Sequence, residues 1–257
     1  MFLTLVKHWD ALAVFVASLF AFVWMQQVKA PHLFLGIFLG LLFFLLYFLN
    51  LRNRGQKKFR TIAIASVLTL VGGVLLMLLL EWPSVRLFVS FLTSACLGVL
   101  VVLPRKLNKE MAHEYKPWRR ITSMIFVLDT YAFCAGFFGL GLFFQNIGSW
   151  VFALLASAVC SLSAILIWRL YYKGYESNIY LWSAVIALIS FELFWIFGFL
   201  PFGYLVLGLF VTWVWYIVQL LVRFHSSVKG IVWRKQRWFM FGNIIAFILI
   251  LFLIRWI

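Results

Sequence analysis

Long apolar runs dominate this sequence, and they leave it few possible folds. Nine stretches approach the length of about 20 apolar residues that an α-helix needs to cross a bilayer. They are residues 10–27, 32–51, 61–81, 84–103, 121–144, 149–170, 178–200, 202–222 and 238–256. Hydrophobic residues make up 66% of the chain and charged residues 11%, a composition that excludes an ordinary water-soluble domain. The sequence therefore predicts an all-α, polytopic integral membrane helix bundle with about nine transmembrane helices.

The boundary between the seventh and eighth predicted helices lies inside one nearly unbroken apolar run, from Ile179 to Val222. Near its middle stands Leu200-Pro201-Phe202-Gly203. Proline cannot continue the helical hydrogen-bond ladder and glycine accepts the dihedrals of a tight turn, so we expect a short hairpin here. No loop is long enough for a linker or a second domain. Residues 1–257 are therefore predicted to form a single transmembrane domain.

The distribution of lysine and arginine predicts the orientation of the helices. With the N-terminus inside, nineteen of the 22 basic residues fall in the inner segments, and only Lys29, Arg86 and Arg255 fall in the outer ones. An excess of lysine and arginine marks the cytoplasmic side of a membrane protein. We therefore expect the N-terminus in, the C-terminus out, and a location in the cell membrane.

A formal net charge of +15 indicates an anionic partner. Because the basic residues lie between apolar runs and not along one polar face, the expected partner is the lipid bilayer and not nucleic acid. The cytoplasmic loops Arg105 to Arg120 and Arg223 to Arg237 combine basic residues with tryptophan, which is typical of segments that meet anionic headgroups. The alternative is that these bases only fix the topology. Other membrane proteins are a further expected class of partner.

Small residues spaced four apart predict where the helices pack. Helices in a bilayer associate by close approach, because apolar side chains gain little by leaving lipid for one another. The predicted seams are Ala13, Ala17 and Ala21; Gly36 and Gly40; Ala65, Thr69 and Gly73; Ser90, Ser94 and Gly98; Ala153, Ser157 and Ser161; and Gly242 and Ala246. They favour a compact bundle.

Two acidic residues, Asp129 and Glu192, are predicted to lie deep in the bilayer, where ionisable groups are costly and face protein or a water-filled cavity. Asp129 is about 12 Å into the fifth span. If the fifth and sixth helices form a hairpin about Ile147, Arg169 lies about one turn nearer the cytoplasm. Helical side chains lean toward their own N-terminus, so the two side chains would tilt toward each other. We therefore expect an ion pair between Asp129 and Arg169.

Glu192 lies about ten residues before the turn at Pro201, level with Thr212 on the returning helix, and Trp195 is level with Gly208. We expect Glu192 to face the bundle interior near Trp195 and Thr212, as a neutral carboxyl bonded to a hydroxyl. The alternative is a proton or cation site. Five residues at the outer helix ends are candidates for its mouth: His32, Glu81, Arg86, Gln145 and Asn146.

The motifs of known catalytic and metal sites do not appear in the sequence. It lacks a G-x-S-x-G elbow, an H-E-x-x-H helix and a Walker loop, so we assign no catalytic residue, metal ligand or cofactor. Three classes of function remain. The first is a non-enzymatic membrane component, such as an accessory or scaffold subunit. The second is a transporter or flippase of a small or lipidic substrate with Glu192 as its titratable residue, and the third is a membrane enzyme acting on lipid-linked groups.

Overall fold

The computed structural model describes residues 9–53, 59–107, 115–171, 178–225 and 233–253. Nine α-helices account for nearly all of them. In chain order they are α1 (Trp9–Gln27), α2 (Pro31–Asn53), α3 (Phe59–Leu79), α4 (Pro83–Leu107), α5 (Tyr115–Phe143), α6 (Ser149–Tyr171), α7 (Ile179–Phe197), α8 (Tyr204–His225) and α9 (Trp233–Leu253). Eight helices, α1 to α8, contain segments long and apolar enough to cross a membrane. The predicted all-α, polytopic helix bundle is confirmed.

The ninth helix differs from the other eight. Its apolar segment within the described residues, Arg237–Ile250, is shorter than a membrane span. The predicted ninth span runs to residue 256, and residues 254–257 lie outside the part that the structure describes. The count of nine spans is thus approximate: among the described residues, eight helices meet the length of a span and α9 is the ninth helix.

The predicted hairpin between the seventh and eighth helices is confirmed. Helix α7 ends at Phe197 and α8 begins at Tyr204. Within the turn, the backbone N–H of Phe202 donates to the carbonyl of Leu200 at 2.8 Å, so the chain reverses across Pro201. The Gly203 carbonyl accepts from Val206 N at 2.9 Å, which opens the first turn of α8. The single apolar run is therefore split into two helices.

Helices α3 and α5 form the centre of the bundle. Helix α3 packs against α2, α4 and α5, while α5 also packs against α6 and α8. Helix α1 lies against α4, and α7 lies against α6 and α8. Helices α4 and α5 contact each other much less than each contacts α3. Both therefore rest on α3 and leave a gap between them.

Glycine allows the closest helix crossing. A Cβ atom added at Gly208 on α8 would lie 2.6 Å from Cα of Ala135 on α5, so only glycine fits there without a shift of backbone. Gly73 on α3 makes room in the same way for the side chain of Thr93 on α4. The predicted seam containing Gly73 therefore does pack against a neighbouring helix.

Two of the predicted seams face no neighbour. A Cβ added at Gly36, Gly40 or Gly242 would meet nothing within 4 Å. The prediction of packing is wrong for these positions. The physical reason is that small residues permit close approach without producing it, and the partner helix must also present a matching face.

Candidate ligand-binding cavities

Asp129 lies near the middle of α5 and is buried, with 3% of its surface exposed. Thr69 on α3 donates its hydroxyl to Asp129 Oδ2 at 2.8 Å, and Thr69 Oγ1 also lies 3.0 Å from the Ala65 carbonyl oxygen. The hydroxyl and the carboxyl come from positions 60 residues apart in the chain. The packing of α3 on α5 therefore brings the two polar groups together in an otherwise apolar region.

Beside Asp129, a cavity of about 290 Å³ fills the gap between α4 and α5. Helix α3 forms its floor through Thr69, Gly73 and Leu76, and Leu80, directly after the end of α3, continues it. We call this cavity the α4–α5 groove. Its remaining lining residues are Val85, Phe88, Val89, Leu92, Thr93, Leu128, Asp129, Tyr131, Ala132 and Leu205. Most of these are apolar, so Asp129 is the one ionisable carboxyl among the described residues that line the groove.

The groove runs from the helix ends toward the middle of the bundle. Leu80, Val85 and Leu205 lie next to the α3–α4 turn and at the start of α8, which are at the same end of the helices. Asp129 and Thr69 lie about two to three turns deeper, since α3 rises about 1.5 Å per residue between Thr69 and Leu80. The carboxyl therefore stands at the deep end of an apolar groove.

The sequence predicted Arg86 and Glu81 for the mouth of a site at Glu192, and the structure places both near the shallow end of the α4–α5 groove. Arg86 is half-buried and its Nε donates to the carbonyl of Leu80, a lining residue. Glu81, the residue after Leu80, lies close enough to Tyr204 for its carboxyl to interact electrostatically with the Tyr204 hydroxyl. The Tyr204 hydroxyl donates to the Leu79 carbonyl at 2.6 Å and so ties α8 to the end of α3.

The other three predicted mouth residues are exposed. His32 stands at the start of α2, and Gln145 and Asn146 lie in the α5–α6 turn. None of them lines either of the two cavities found among the described residues.

Asp129 has a different hydrogen-bond partner from the one predicted. Arg169 lies in the last turn of α6 with an exposed side chain, whereas Asp129 is buried against Thr69 on α3. The prediction considered depth and the tilt of the side chains but not the direction in which each residue points around its helix. Asp129 points toward α3, so the structure replaces the predicted ion pair with a hydroxyl–carboxyl hydrogen bond.

Glu192 does not face the bundle interior, contrary to the prediction. It is exposed, as is Trp195 with 42% of its surface accessible. The buried face of α7 carries Ser190 and Phe194, and Glu192 lies two residues from each, about 200° around the helix. Thr212 is buried on α8 and donates to the Gly208 carbonyl at 2.8 Å. Glu192 and Thr212 therefore share a depth but point in different directions.

A second cavity, of about 470 Å³, lies where α5 begins and α6 and α8 end. It is lined by Arg119, Arg120, Ser123, Met124, Tyr171, Tyr216 and Arg223. We call it the basic cavity. Among the described residues that line it, three are arginines and none is acidic. The loops predicted to meet anionic headgroups continue into residues 108–114 and 226–232, which lie outside the described residues.

The ring of Tyr171 lies near two of the three arginines of the basic cavity. The guanidinium carbon of Arg223 lies 4.3 Å from the centre of the Tyr171 ring, and that of Arg119 lies 5.8 Å from it. Both distances are within the range of a cation–π contact. Three helices thus contribute to one cluster: α5 carries Arg119, α6 carries Tyr171 and α8 carries Arg223.

A buried amide lies on α8 next to the residues of the basic cavity. Gln219 is completely buried, and its side-chain nitrogen and oxygen have no hydrogen-bond partner among the described residues. It follows Tyr216 by three positions and precedes Arg223 by four, so the three share a face of α8. Gln219 is not among the described residues that line the basic cavity.

The sequence indicated part of the basic cavity and missed the rest. Arg119, Arg120 and Arg223 belong to the loops expected to meet headgroups. Tyr171 and Tyr216 lie in apolar runs with no motif around them, and only the tertiary packing shows their part. Tyr171 is the last residue of α6 and Tyr216 lies seven residues before Arg223 on α8, so no local sequence pattern marks either of them.

No protein family, curated protein or solved structure matches this chain.

Proposed function

We propose that this protein is a non-enzymatic component of the cell membrane that binds the anionic headgroup of a phospholipid in the basic cavity. The observation that carries the proposal is the convergence of Arg119, Arg120 and Arg223 on a cavity of about 470 Å³. The proposal includes the predicted topology, in which this end of the helices faces the cytoplasm. The bound lipid would link α5, α6 and α8 at that face.

The chemistry of the cavity matches a phosphate group. Guanidinium groups donate paired hydrogen bonds to phosphate oxygens, and the hydroxyls of Tyr171, Tyr216 and Ser123 are further donors. Anionic lipids are concentrated at the cytoplasmic surface, where each arginine contributes about 1 kcal/mol of attraction. The apolar Met124 lies beside the polar groups, where the glycerol and first acyl carbons of a lipid would lie.

The shared position of two arginines favours a binding site over bases that only fix topology. The guanidinium carbons of Arg119 and Arg223 both lie within 6 Å of the centre of the Tyr171 ring. Bases that only set the topology need no such shared position. A phosphate in the basic cavity would be attracted by the positive charges around it.

The positions of the residues in the structure give less support to the other two functional hypotheses. The transport hypothesis used a Glu192 that faces the interior, and Glu192 is exposed. The hypothesis of an enzyme acting on lipid-linked groups has no assigned residues, and a headgroup bound beside His32 or Glu81 would support it. The basic cavity lies at the opposite helix ends from these two residues.

Native mass spectrometry of the purified full chain tests the proposal. We would titrate the protein with phosphatidylglycerol and, separately, with phosphatidylcholine, and count bound lipids. Arg119→Gln and Arg223→Gln should each weaken phosphatidylglycerol binding roughly fivefold and leave phosphatidylcholine binding unchanged. Arg169→Gln is the matched control, since it removes the same charge from an exposed position near the end of α6.

Equal loss of lipid binding in all three variants would contradict the proposal, because it would mean that only the overall charge matters. A titration with inorganic phosphate separates the headgroup from the whole lipid. Binding of phosphate as tight as that of the lipid would assign the cavity to a soluble anion.

A further inference from the structure

The α4–α5 groove is a second candidate site, separate from the basic cavity and different in chemistry. Its walls are apolar, and its deep end holds a buried carboxyl with two hydroxyls nearby, those of Thr69 and Thr93. A carboxyl in a membrane helix is costly unless it serves a partner. Ser123 in the basic cavity and Asp129 in the groove are six residues apart on α5, about 9 Å along the axis and on different faces. The two sites can therefore be tested independently.

We propose that the α4–α5 groove binds a small apolar amine, with its nitrogen at Asp129 and its hydrocarbon part between α4 and α5. This inference goes beyond the proposed function, which concerns the other cavity. The occupant must combine an apolar body with one polar end, because most lining residues are apolar and the one carboxyl among those described, Asp129, lies at the deep end. The polar end must be able to take a positive charge, because it meets a carboxyl and not a base.

Protonation chemistry favours an amine over other polar ends. Thr69 Oγ1 lies within hydrogen-bond distance of both Asp129 Oδ2 and the Ala65 carbonyl, but a hydroxyl has only one proton to donate. Both contacts are satisfied together when the carboxyl is neutral and donates to Thr69. A neutral amine can then enter through the bilayer and accept that proton. The carboxylic acid and amine become a carboxylate and an ammonium ion, with no net charge carried into the membrane.

Charge and shape together select this occupant. A quaternary ammonium ion cannot accept a proton and would enter only if the proton of Asp129 left the site. A fatty alcohol could form a hydrogen bond but gains no ion pair. The volume of about 290 Å³ is at the small end of ligand pockets, which suits a short chain or a compact ring system and not a whole phospholipid.

The shape of the groove also gives the amine a route of entry. Phe88 on α4 is largely exposed, and Leu80, Val85 and Leu205 at the shallow end are only half-buried. An apolar molecule dissolved in the bilayer can therefore reach the groove from the side or from the shallow end. Arg86 and Glu81 stand at that end and interact with groups beside it.

Equilibrium binding of n-octylamine to the full chain in nanodiscs tests the proposal, with n-octanol as the uncharged analogue of the same length. We expect octylamine to bind at least tenfold more tightly than octanol. Asp129→Asn should remove that preference, because the amide keeps the shape and the hydrogen bond to Thr69 but cannot take part in proton transfer. Glu192→Gln is the matched control, since it changes an acid on the exposed face of α7 and should leave binding unchanged.

Infrared difference spectroscopy on the same samples gives an independent measurement. The band of a protonated carboxyl should disappear when octylamine binds and should be unaffected by octanol. Leu92→Trp, which fills the groove and leaves Asp129 intact, should abolish binding and keep the band.

Three results would overturn the proposal: equal affinity for the amine and the alcohol, octylamine binding that is unaltered by Asp129→Asn, and loss of binding in Glu192→Gln. If Asp129→Asn does not fold, Leu92→Trp decides, since unaltered binding in that variant places the amine elsewhere. Asp129→Asn and Leu92→Trp do not alter the basic cavity. If the amine proposal fails, the headgroup proposal is therefore unaffected.

Discussion

Thr69 on α3 and Asp129 on α5 share the hydrogen bond that joins the two central helices, with 2.8 Å between Thr69 Oγ1 and Asp129 Oδ2. Both residues are at least 97% buried. Because Thr69 also lies 3.0 Å from the carbonyl of Ala65, its single proton cannot satisfy both acceptors at once. In the neutral form that we propose above, Asp129 would donate to Thr69, Thr69 would donate to Ala65, and no bare charge would lie inside the membrane.

This relationship predicts a small effect of Asp129→Asn on stability. The introduced amide can donate to Thr69 as a neutral carboxyl does, so the free energy of unfolding should change by less than about 1 kcal/mol. Thr69→Val and Asp129→Leu should each cost about 0.6 to 1.7 kcal/mol, the range of interhelical hydrogen bonds in membranes. Steric trapping in bicelles measures these values.

A double-mutant cycle between Thr69→Val and Asp129→Leu completes the test. We expect the two costs to be less than additive, since either change removes the same bond. Fully additive costs would show that the two side chains do not interact. A loss of several kcal/mol in Asp129→Asn would instead show that the amide does not replace the hydrogen bond of the carboxyl.

The crossing of α5 and α8 predicts a large effect from one methyl group. Gly208→Ala places a Cβ within 2.6 Å of the Ala135 backbone, so the two helices must separate. Overpacking of this kind costs about 1 to 3 kcal/mol. Gly242→Ala on α9 is the matched control, because nothing lies within 4 Å of its Cβ and alanine favours a helix over glycine. Equal stability of the two variants in thermal unfolding would argue against the close crossing.

The sequence predicted which acidic residues lie within apolar helices, but not the direction in which each of them points. Asp129 and Glu192 are both acidic residues within apolar runs of the sequence. Asp129 is buried, whereas Glu192 is exposed. In a soluble protein, the polar face of a helix would reveal which side is inward. A membrane helix is apolar on all sides, so periodicity gives no such signal. The hairpin at Pro201 was predictable because proline and glycine act locally, whereas the Thr69–Asp129 bond joins residues 60 positions apart.

The same limit applies to the candidate sites. The arginines of the basic cavity follow from the charge pattern, but Tyr171 joins them only because α6 packs against α5 and approaches α8. The α4–α5 groove exists because α4 and α5 both rest on α3 and contact each other little. Such a gap is a property of three helices together, and no single stretch of the sequence encodes it.

The exposed position of Glu192 predicts the sign of a stability change. Its neighbours on the exposed face of α7 are apolar, among them Leu188 and Trp195, and no contact among the described residues explains a carboxyl there. Replacing it by leucine removes a polar group from a surface that faces lipid, so Glu192→Leu should leave the free energy of unfolding unchanged or raise it. Loss of stability in the monomer, measured by steric trapping, would show that Glu192 has a partner within this chain.

The last prediction concerns topology and depends on α9. The nineteen-to-three distribution of basic residues predicts that successive helices from α1 to α8 cross the membrane in opposite directions, with the N-terminus in the cytoplasm. The native cysteines are buried, so they give little background in a labelling experiment. A cysteine introduced at Arg234, before the apolar part of α9, should react with a membrane-impermeant maleimide only after the cells are opened. If α9 crosses the bilayer, a cysteine at Arg255 lies on the outer side and should react in intact cells. The hydrogen bond of 3.0 Å from Trp213 Nε1 to Asn243 Oδ1 would then hold α9 beside α8 within the membrane. Labelling at Arg234 in intact cells would reverse the whole orientation, while protection at both positions would reduce the count to eight spans with α9 on the cytoplasmic side.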